Sequence, residues 1–173
     1  TGLTGNLTIP NSVTTCGMDA FKECPGLTSV TIGSGLTVLT EGVFADCTGL
    51  TSVTIPDNIT RIDDEAFDDC TGLTSVTIPE GVTHIGDSAF EGCTALPSVT
   101  IPSTVTTLDS QAFRDCTALA TITCHITQTI FEANSVALLN SGVTSIIADT
   151  GKGWTAGAGQ TISGKSGITV TLV

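Results

Sequence analysis

Five cysteines recur at a constant interval, each at the twenty-third position after the one before, and most of the residues between them recur as well. These cysteines are Cys24, Cys47, Cys70, Cys93 and Cys116. In register, the units begin CPGLTSVTIG, CTGLTSVTIP, CTGLTSVTIP and CTALPSVTIP, with an earlier copy from about Thr4 to Glu23 and a weaker one after Cys116. A fixed period of this size is typical of stacked-repeat proteins, in which each unit packs against its neighbours. The sequence therefore predicts a solenoid.

Each unit divides into a strand half and a turn half. In one unit Leu50, Val53 and Ile55 follow an L-x-x-V-x-I pattern whose β-branched residues favour a strand. Pro56 ends this strand because proline has no main-chain N–H to donate to a ladder. The following IDDEAFDDC is too short for a full α-helix, so a helical turn that carries Phe67 inward is predicted. Stacking then places five phenylalanines in one interior column: Phe21, Phe44, Phe67, Phe90 and Phe113.

The recurring cysteines allow two interpretations. Residues one period apart lie about 5 Å apart on neighbouring coils, within disulfide range by Cα distance. The chain has seven cysteines, an odd number, so they cannot all pair within it. Apolar columns surround them, and a free cysteine packs as a small buried hydrophobe. We predict buried thiols, with a disulfide ladder as the alternative.

The L-x-x-V-x-I-P and A-F-x-x-C elements of residues 4–124 resemble the 23-residue repeats of the BspA-like leucine-rich-repeat family, also named for a Treponema repeat protein. Like that family, the units lack the asparagine that follows the strand in ordinary leucine-rich repeats. Gly33 departs from the pattern by replacing the post-strand proline. The resemblance implies an α/β solenoid, right-handed and curved, with a parallel sheet on its concave side and short helical turns on its convex side. It also implies a surface-exposed or secreted protein, related to adhesins that bind host matrix proteins or other microbes.

The net charge of −12 belongs entirely to residues 1–124, which hold 15 acidic and three basic side chains. Nucleic acid and anionic membranes call for Lys and Arg patches, so neither is a predicted partner. No apolar run approaches the roughly 18 residues that span a bilayer, so no membrane insertion is predicted. No signal peptide is visible, and the chain opens inside a repeat, which reads as a mature or excised fragment.

Residues 125–173 depart from the repeat and are predicted to form a diverged last coil and a C-terminal cap, whereas residues 1–124 form the repeat domain. The segment 129–142 predicts a helix or helical turn, and VTSIIADT restores a strand in which Ile146 follows Ile122 by one position more than a full period. The Gly-rich segment 151–173 ends in an alternating strand, as expected of a cap over an exposed core. Trp154, the single tryptophan, is predicted to fill this cap, with a binding anchor as the alternative.

Two outward-facing positions of each strand carry hydroxyl groups, spaced about 4.8 Å along the sheet. We call these residues the hydroxyl array: Ser29, Thr31, Ser52, Thr54, Ser75, Thr77, Ser98, Thr100, Thr121 and Thr123. As a preformed concave surface without charge, the array is a candidate ligand-binding face that relies on shape and hydrogen bonds. Two alternatives are that Ser and Thr merely suit exposed strand positions, and that the regular hydroxyls bind ice.

Motifs for metal binding and catalysis are missing from the sequence. The acids gather away from the strands without a D-x-D-x-D-G calcium loop, so a solvated convex face is predicted. His84 and His125 accompany no H-E-x-x-H or C-x-x-C spacing, and zinc is therefore not predicted. There is no phosphate loop and no G-x-S-x-G elbow. The chain is predicted to need no cofactor and to be no enzyme.

These observations predict an extracellular adhesion module at the cell surface or secreted. Its partner would be a protein: a host matrix or plasma protein, or another microbial surface. The alternative function is a structural spacer of a larger surface protein, without a ligand of its own.

Overall fold

The computed structural model describes residues 2–133, 136–162 and 165–173. Each unit forms one coil of a β-solenoid. In chain order the elements are β1 (Thr4–Ile9), β2 (Gly26–Ile32), β3 (Val38–Leu39), β4 (Ser52–Thr54), β5 (Arg61–Ile62), β6 (Ser75–Val76), β7 (His84–Ile85), β8 (Ser98–Ile101), β9 (Thr107–Leu108), β10 (Thr121–Cys124), α1 (Gln128–Glu132), β11 (Ser145–Ala148), β12 (Gly157–Ile162) and β13 (Lys165–Leu172). Among these elements, no helix is long and apolar enough to cross a bilayer.

Most strands pair in parallel with the equivalent strand of the next coil. The first sheet contains the strands that open the units together with those of the C-terminal region, in two hydrogen-bonded groups: β1-β2-β4-β6 and β8-β10-β11-β13-β12. The second sheet consists of the two-residue strands β3-β5-β7-β9. Ser29, Ser52 and Ser75 lie in register, so the period of the sequence is the register of the sheet. In the C-terminal region Ile122 pairs with Ile146, so this register continues beyond the regular units.

Pro97 separates the two groups of the first sheet. In earlier coils the main-chain N–H of Thr51 donates to the Thr28 carbonyl at 2.9 Å, and Thr74 donates to Thr51 at 3.1 Å. The next equivalent residue is Pro97, which has no N–H to donate to Thr74. The ladder therefore stops between β6 and β8 and resumes beyond them.

The predicted helical turns, and with them the α/β class, are not confirmed. We call the segment between each second-sheet strand and the next cysteine the arc, residues 63–70 in one coil. Two positions of every arc have positive φ: Asp19, Gly42, Glu65, Ser88 and Gln111 at the first, and Glu23, Asp46, Asp69, Gly92 and Asp115 at the second. Left-handed residues four apart prevent a continuous right-handed helix.

In the arcs, hydrogen bonds between coils alternate with tight-turn bonds such as that from the Asp68 N–H to the Glu65 carbonyl at 3.0 Å. The Glu65 N–H donates to the Asp87 carbonyl at 2.8 Å and the Phe67 N–H to the Ala89 carbonyl at 2.9 Å, both in the next coil. These bonds satisfy main-chain groups that would otherwise be buried without partners. The α-helix found among the described residues is α1. Thr127 caps its N-terminus, and the Thr127 hydroxyl accepts a hydrogen bond from the Ile130 N–H at 3.4 Å. It covers only the start of the helix predicted over 129–142, in which Asn134 and Ser135 lie outside the described residues.

The predicted phenylalanine column fills the interior. Successive rings stack at centroid distances of 5.4, 5.6, 5.3 and 5.5 Å. Phe67 is fully buried with a ring on each side, whereas Phe21 at the first coil is only partly buried. The column thus links adjacent coils through aromatic contacts.

No disulfide joins any of the seven cysteines, and the thiols of the five recurring cysteines are buried in the core, as predicted. The thiol of Cys70 donates to the Phe44 carbonyl of the preceding coil at 3.2 Å, and Cys93 donates to Phe67 at 3.3 Å. Cys47 and Cys116 repeat the contact at 3.1 and 3.0 Å. Burial raises the pKa of the Cys47 thiol to about 11, which keeps it protonated. A short, weakly polar donor explains why cysteine recurs here.

Candidate functional site

The hydroxyl array lies on the first sheet with its side chains accessible to solvent. Seven members are exposed: Thr31, Ser52, Thr54, Ser75, Thr77, Ser98 and Thr100. Ser29, Thr121 and Thr123 are half-buried. The alternation of the strand explains this, because the intervening Val53 and Val99 point into the core. The structure thus brings the ten predicted residues onto one face, divided by the interruption at Pro97.

The hydroxyl array carries no charge and has free hydrogen-bonding capacity. Strands β2, β4, β6, β8 and β10 contain no charged residue. At the N-terminal edge, Ser29 Oγ donates to Asn6 Oδ1 at 2.9 Å. Among the described residues, the hydroxyls of Ser52, Thr54, Ser75 and Thr77 make no hydrogen bond within the chain. They are therefore available to a ligand.

A second set of threonines serves the fold. Thr60 Oγ1 donates to the Thr37 carbonyl at 3.1 Å, Thr83 to Thr60 at 3.1 Å and Thr106 to Thr83 at 3.2 Å. These hydroxyls bridge neighbouring coils beside the second sheet. The sequence pattern alone does not distinguish them from the hydroxyl array, because both sets recur in every unit.

The acidic side chains lie mainly on the arcs, and several of them crowd together. Burial, and after it the nearby carboxylates of Asp69, Glu91, Glu65 and Asp46, together raise the pKa of the Asp68 carboxyl to about 7. Asp69 and Glu65 are exposed. The surface is thus strongly negative, and protonation of Asp68 relieves part of its repulsion.

The two histidines have different surroundings. His84 Nε2 lies 3.5 Å from Asp109 Oδ2, and Asp64 completes a group whose potential ligand atoms all lie within 4.8 Å of one another. His125 Nδ1 instead lies 2.9 Å from Asp149 Oδ1. Motif spacing missed the first group because its members come from three coils. Alignment of the repeat units could have found it. One period forward from Asp64 is position 87, and one period back from Asp109 is position 86, and both positions lie close to His84 in the sequence.

Trp154 fills the C-terminal region, as predicted, and is not an exposed anchor. Its side chain is 7% exposed, and its Nε1–H donates to the Ile126 carbonyl at 2.9 Å. Its ring meets Phe131 edge-on at a centroid distance of 5.4 Å. The polar atom of the indole is satisfied within the chain, so Trp154 acts in packing.

An open depression of about 300 Å³ lies where α1 takes the place of a further second-sheet strand. Thr107 and Asp109 line one side, and Ile130 and Ala133 of the α1 region line the other. Asp109 thus belongs to the His84 group and also lines the depression.

The sequence comparison identifies the family. The model for the BspA type leucine rich repeat region matches in six copies, over residues 3–120 and 39–150. The chain belongs to the BspA-type leucine-rich-repeat family. A search of the curated proteins finds no match.

Solved structures share this fold. A leucine-rich repeat protein of T. pallidum is 24% identical with a TM-score of 0.67, over 83% of this chain and 73% of that one. A leucine-rich repeat protein from Bacteroides ovatus is 22% identical with a TM-score of 0.61, over 84% of this chain and 54% of that one. The pneumococcal vaccine antigen PcpA is 18% identical with a TM-score of 0.65, over 85% of this chain and 36% of that one. None of these descriptions names an enzymatic activity.

Proposed function

We propose that this chain is an extracellular protein-binding module, at a cell surface or secreted, that holds its partner on the hydroxyl array. The observation that carries the proposal is the row of free hydroxyls on rigid strands. The likeness to a pneumococcal vaccine antigen supports a surface location. In this proposal residues 1–124 provide the binding face and residues 125–173 cap the solenoid.

The chemistry of the array favours a polar protein surface that is already ordered. Each exposed Ser or Thr donates one hydrogen bond and accepts others, so the array pairs with main-chain or side-chain groups of a partner. Fixed strands lose little entropy on binding, which favours affinity. Because the array holds no charge, binding should depend only slightly on salt, in contrast to binding by the acidic arcs. We place the array on the concave side, where a curved solenoid encloses a partner.

The test is a panel of host matrix and plasma proteins, including fibronectin and fibrinogen, and intact microbial cells. The array variant changes Ser52, Thr54, Ser75 and Thr77 to Lys. A matched control changes Thr48, Thr94, Thr117 and Thr150 to Lys, because these residues are exposed, lie outside the array and add the same charge. Circular dichroism and thermal unfolding verify that both variants fold.

Saturable binding that the array variant loses and the control variant keeps is the expected result. Equal binding by the three proteins would contradict the assignment to the array. Binding that both variants lose would point to charge rather than the array. Failure of the unchanged chain to bind any panel member would favour the alternative function, a structural spacer within a larger surface protein.

A further inference from the structure

Three metal-ligating side chains from consecutive coils converge beside the second sheet. Asp64 follows β5, His84 lies in β7 and Asp109 follows β9. One potential ligand atom of each lies within 4.8 Å of the other two, and His84 Nε2 is 3.5 Å from Asp109 Oδ2. The group is independent of the hydroxyl array, which lies on the first sheet.

A glycine makes room for this convergence. The arc position that carries Asp63 in one coil and Asp109 two coils later carries Gly86 between them. A Cβ atom at Gly86 would collide with Asp64 Oδ1 and with the Asp64 main chain. Without that atom the Asp64 carboxylate enters the gap, where the Asp87 N–H donates to its Oδ1 at 2.9 Å. The missing side chain and this hydrogen bond hold Asp64 toward the neighbouring coils.

The ligand set and its spacing suit a zinc-type ion. Zinc bonds of 2.0–2.2 Å to nitrogen and oxygen place two ligands of a tetrahedron about 3.3–3.5 Å apart. The His84–Asp109 distance of 3.5 Å agrees with this spacing, and a ligand atom of Asp64 lies within 4.8 Å of both. Two carboxylates and a neutral imidazole balance a divalent charge. An imidazole ligand favours zinc, cobalt or copper over calcium and magnesium, which take oxygen ligands.

The surroundings also favour a cation. Arg61 is the neighbouring base, and its guanidinium is engaged by Asp63 at 2.8 Å. Asp87 Oδ1, next to Asp64, is buried without a hydrogen-bond partner among the described residues. The chain as a whole carries a charge of −12, which raises the local concentration of cations.

We propose that Asp64, His84 and Asp109 bind one divalent transition-metal ion of the zinc type. The fourth position stays open, and since Asp109 also lines the depression beside α1, that side gives water or a further ligand access to the ion. The ion ties three coils together, so binding stabilises the folded chain by mass action.

The experiment titrates the full chain with Zn²⁺ by calorimetry and with Co²⁺ by absorption spectroscopy, under reducing conditions. We expect one Zn²⁺ ion per chain and a rise in Tm with Zn²⁺ concentration. His84→Ala and Asp109→Asn should each weaken Zn²⁺ binding by at least about tenfold. His125→Ala is the matched control, because His125 meets only one carboxylate, Asp149, within the described part of the chain, and its affinity should be unchanged.

Cobalt distinguishes this site from the seven thiols. Binding at the proposed site should produce Co²⁺ ligand-field bands without the near-ultraviolet charge-transfer band of a thiolate ligand. A thiolate band at one equivalent would overturn the proposal and assign the ion to cysteine. Zn²⁺ affinity unchanged in His84→Ala, or no Zn²⁺ binding by the folded unchanged chain, would also overturn it.

Discussion

The regular coils and the C-terminal region enclose the same core by different means. In the coils one set of contacts recurs, and a phenylalanine such as Phe67 stacks on equivalents in both neighbouring coils. The C-terminal region relies on single contacts: Trp154 meets Phe131, Lys165 Nζ donates to the Ser141 carbonyl at 2.7 Å, and β12 pairs antiparallel to β13. Repetition spreads stability over many similar contacts, whereas the C-terminal region concentrates it on a few residues.

Removing one ring from the repeated column should destabilise the chain most. Phe67→Ala should lower the free energy of unfolding by about 3–5 kcal/mol, because it leaves a cavity and removes two ring contacts. Urea denaturation measures this change in the free energy of unfolding. Phe21→Ala is the control, since Phe21 stacks only on Phe44 and is partly exposed, and its cost should be clearly smaller. Equal costs would contradict a coupling carried through the column.

Removing the single aromatic contact of the C-terminal region should cost slightly less and act locally. Trp154→Ala removes a buried ring and its hydrogen bond to Ile126, which should cost about 3 kcal/mol. Hydrogen exchange should show faster amide exchange in β11 and β13, while β2 and β4 keep their protection. Full thermal stability in this variant would contradict the packing role of Trp154.

The acidic arcs add an electrostatic contrast between the two regions, because residues 125–173 have no net charge. The pKa of Asp68 is raised to about 7 in the folded chain, so the folded state binds this proton more tightly than the unfolded state. The resulting stabilisation is complete at pH values below the ordinary pKa of an aspartate, and it is lost as the pH rises through 7. Asp68→Asn should therefore stabilise the chain at pH 8 by about 1 kcal/mol after solvent screening, with little effect at pH 4. Thermal unfolding across this range tests it, and an unchanged pH profile would contradict the assignment.

A substitution at the interruption of the first sheet should change stability least. Pro97→Thr supplies an N–H for the Thr74 carbonyl, worth about 1 kcal/mol, and gives up the entropic benefit of proline, about 0.4–1 kcal/mol. The free energy of unfolding should change little, but the amide at position 97 should gain protection from hydrogen exchange. Rapid exchange there would show that something other than the missing donor separates β6 from β8.

Several predictions from the sequence hold because each depends on a contact that repeats. The constant interval places Cys70 and Cys93 at equivalent positions of neighbouring coils, and likewise Phe67 and Phe90. Burial and register therefore follow directly from alignment of the units. The same reasoning places Ile146 against Ile122, although the interval there is one position longer. The exposure of Ser52 and Thr54 follows from alternation along a strand.

The predicted helical turns are not confirmed, and the reason is physical. Local propensity allows IDDEAFDDC to form a helical turn, but Glu65 and Asp69 adopt positive φ so that alternate N–H groups reach the next coil. That conformation depends on the neighbouring coil, which no single unit reveals. The same holds for His84, whose carboxylate neighbours come from adjacent coils.

The solenoid, its period, its buried columns and the position of the hydroxyl array all follow from the amino-acid sequence, because stacking repeats every local contact. The conformation of the arcs, the direction of each thiol toward the preceding coil, and the identity of the free hydroxyls follow only from the folded chain. Folding also brings Asp64, His84 and Asp109 together. These features depend on distances between different columns of neighbouring coils, and the repeat period does not specify those distances.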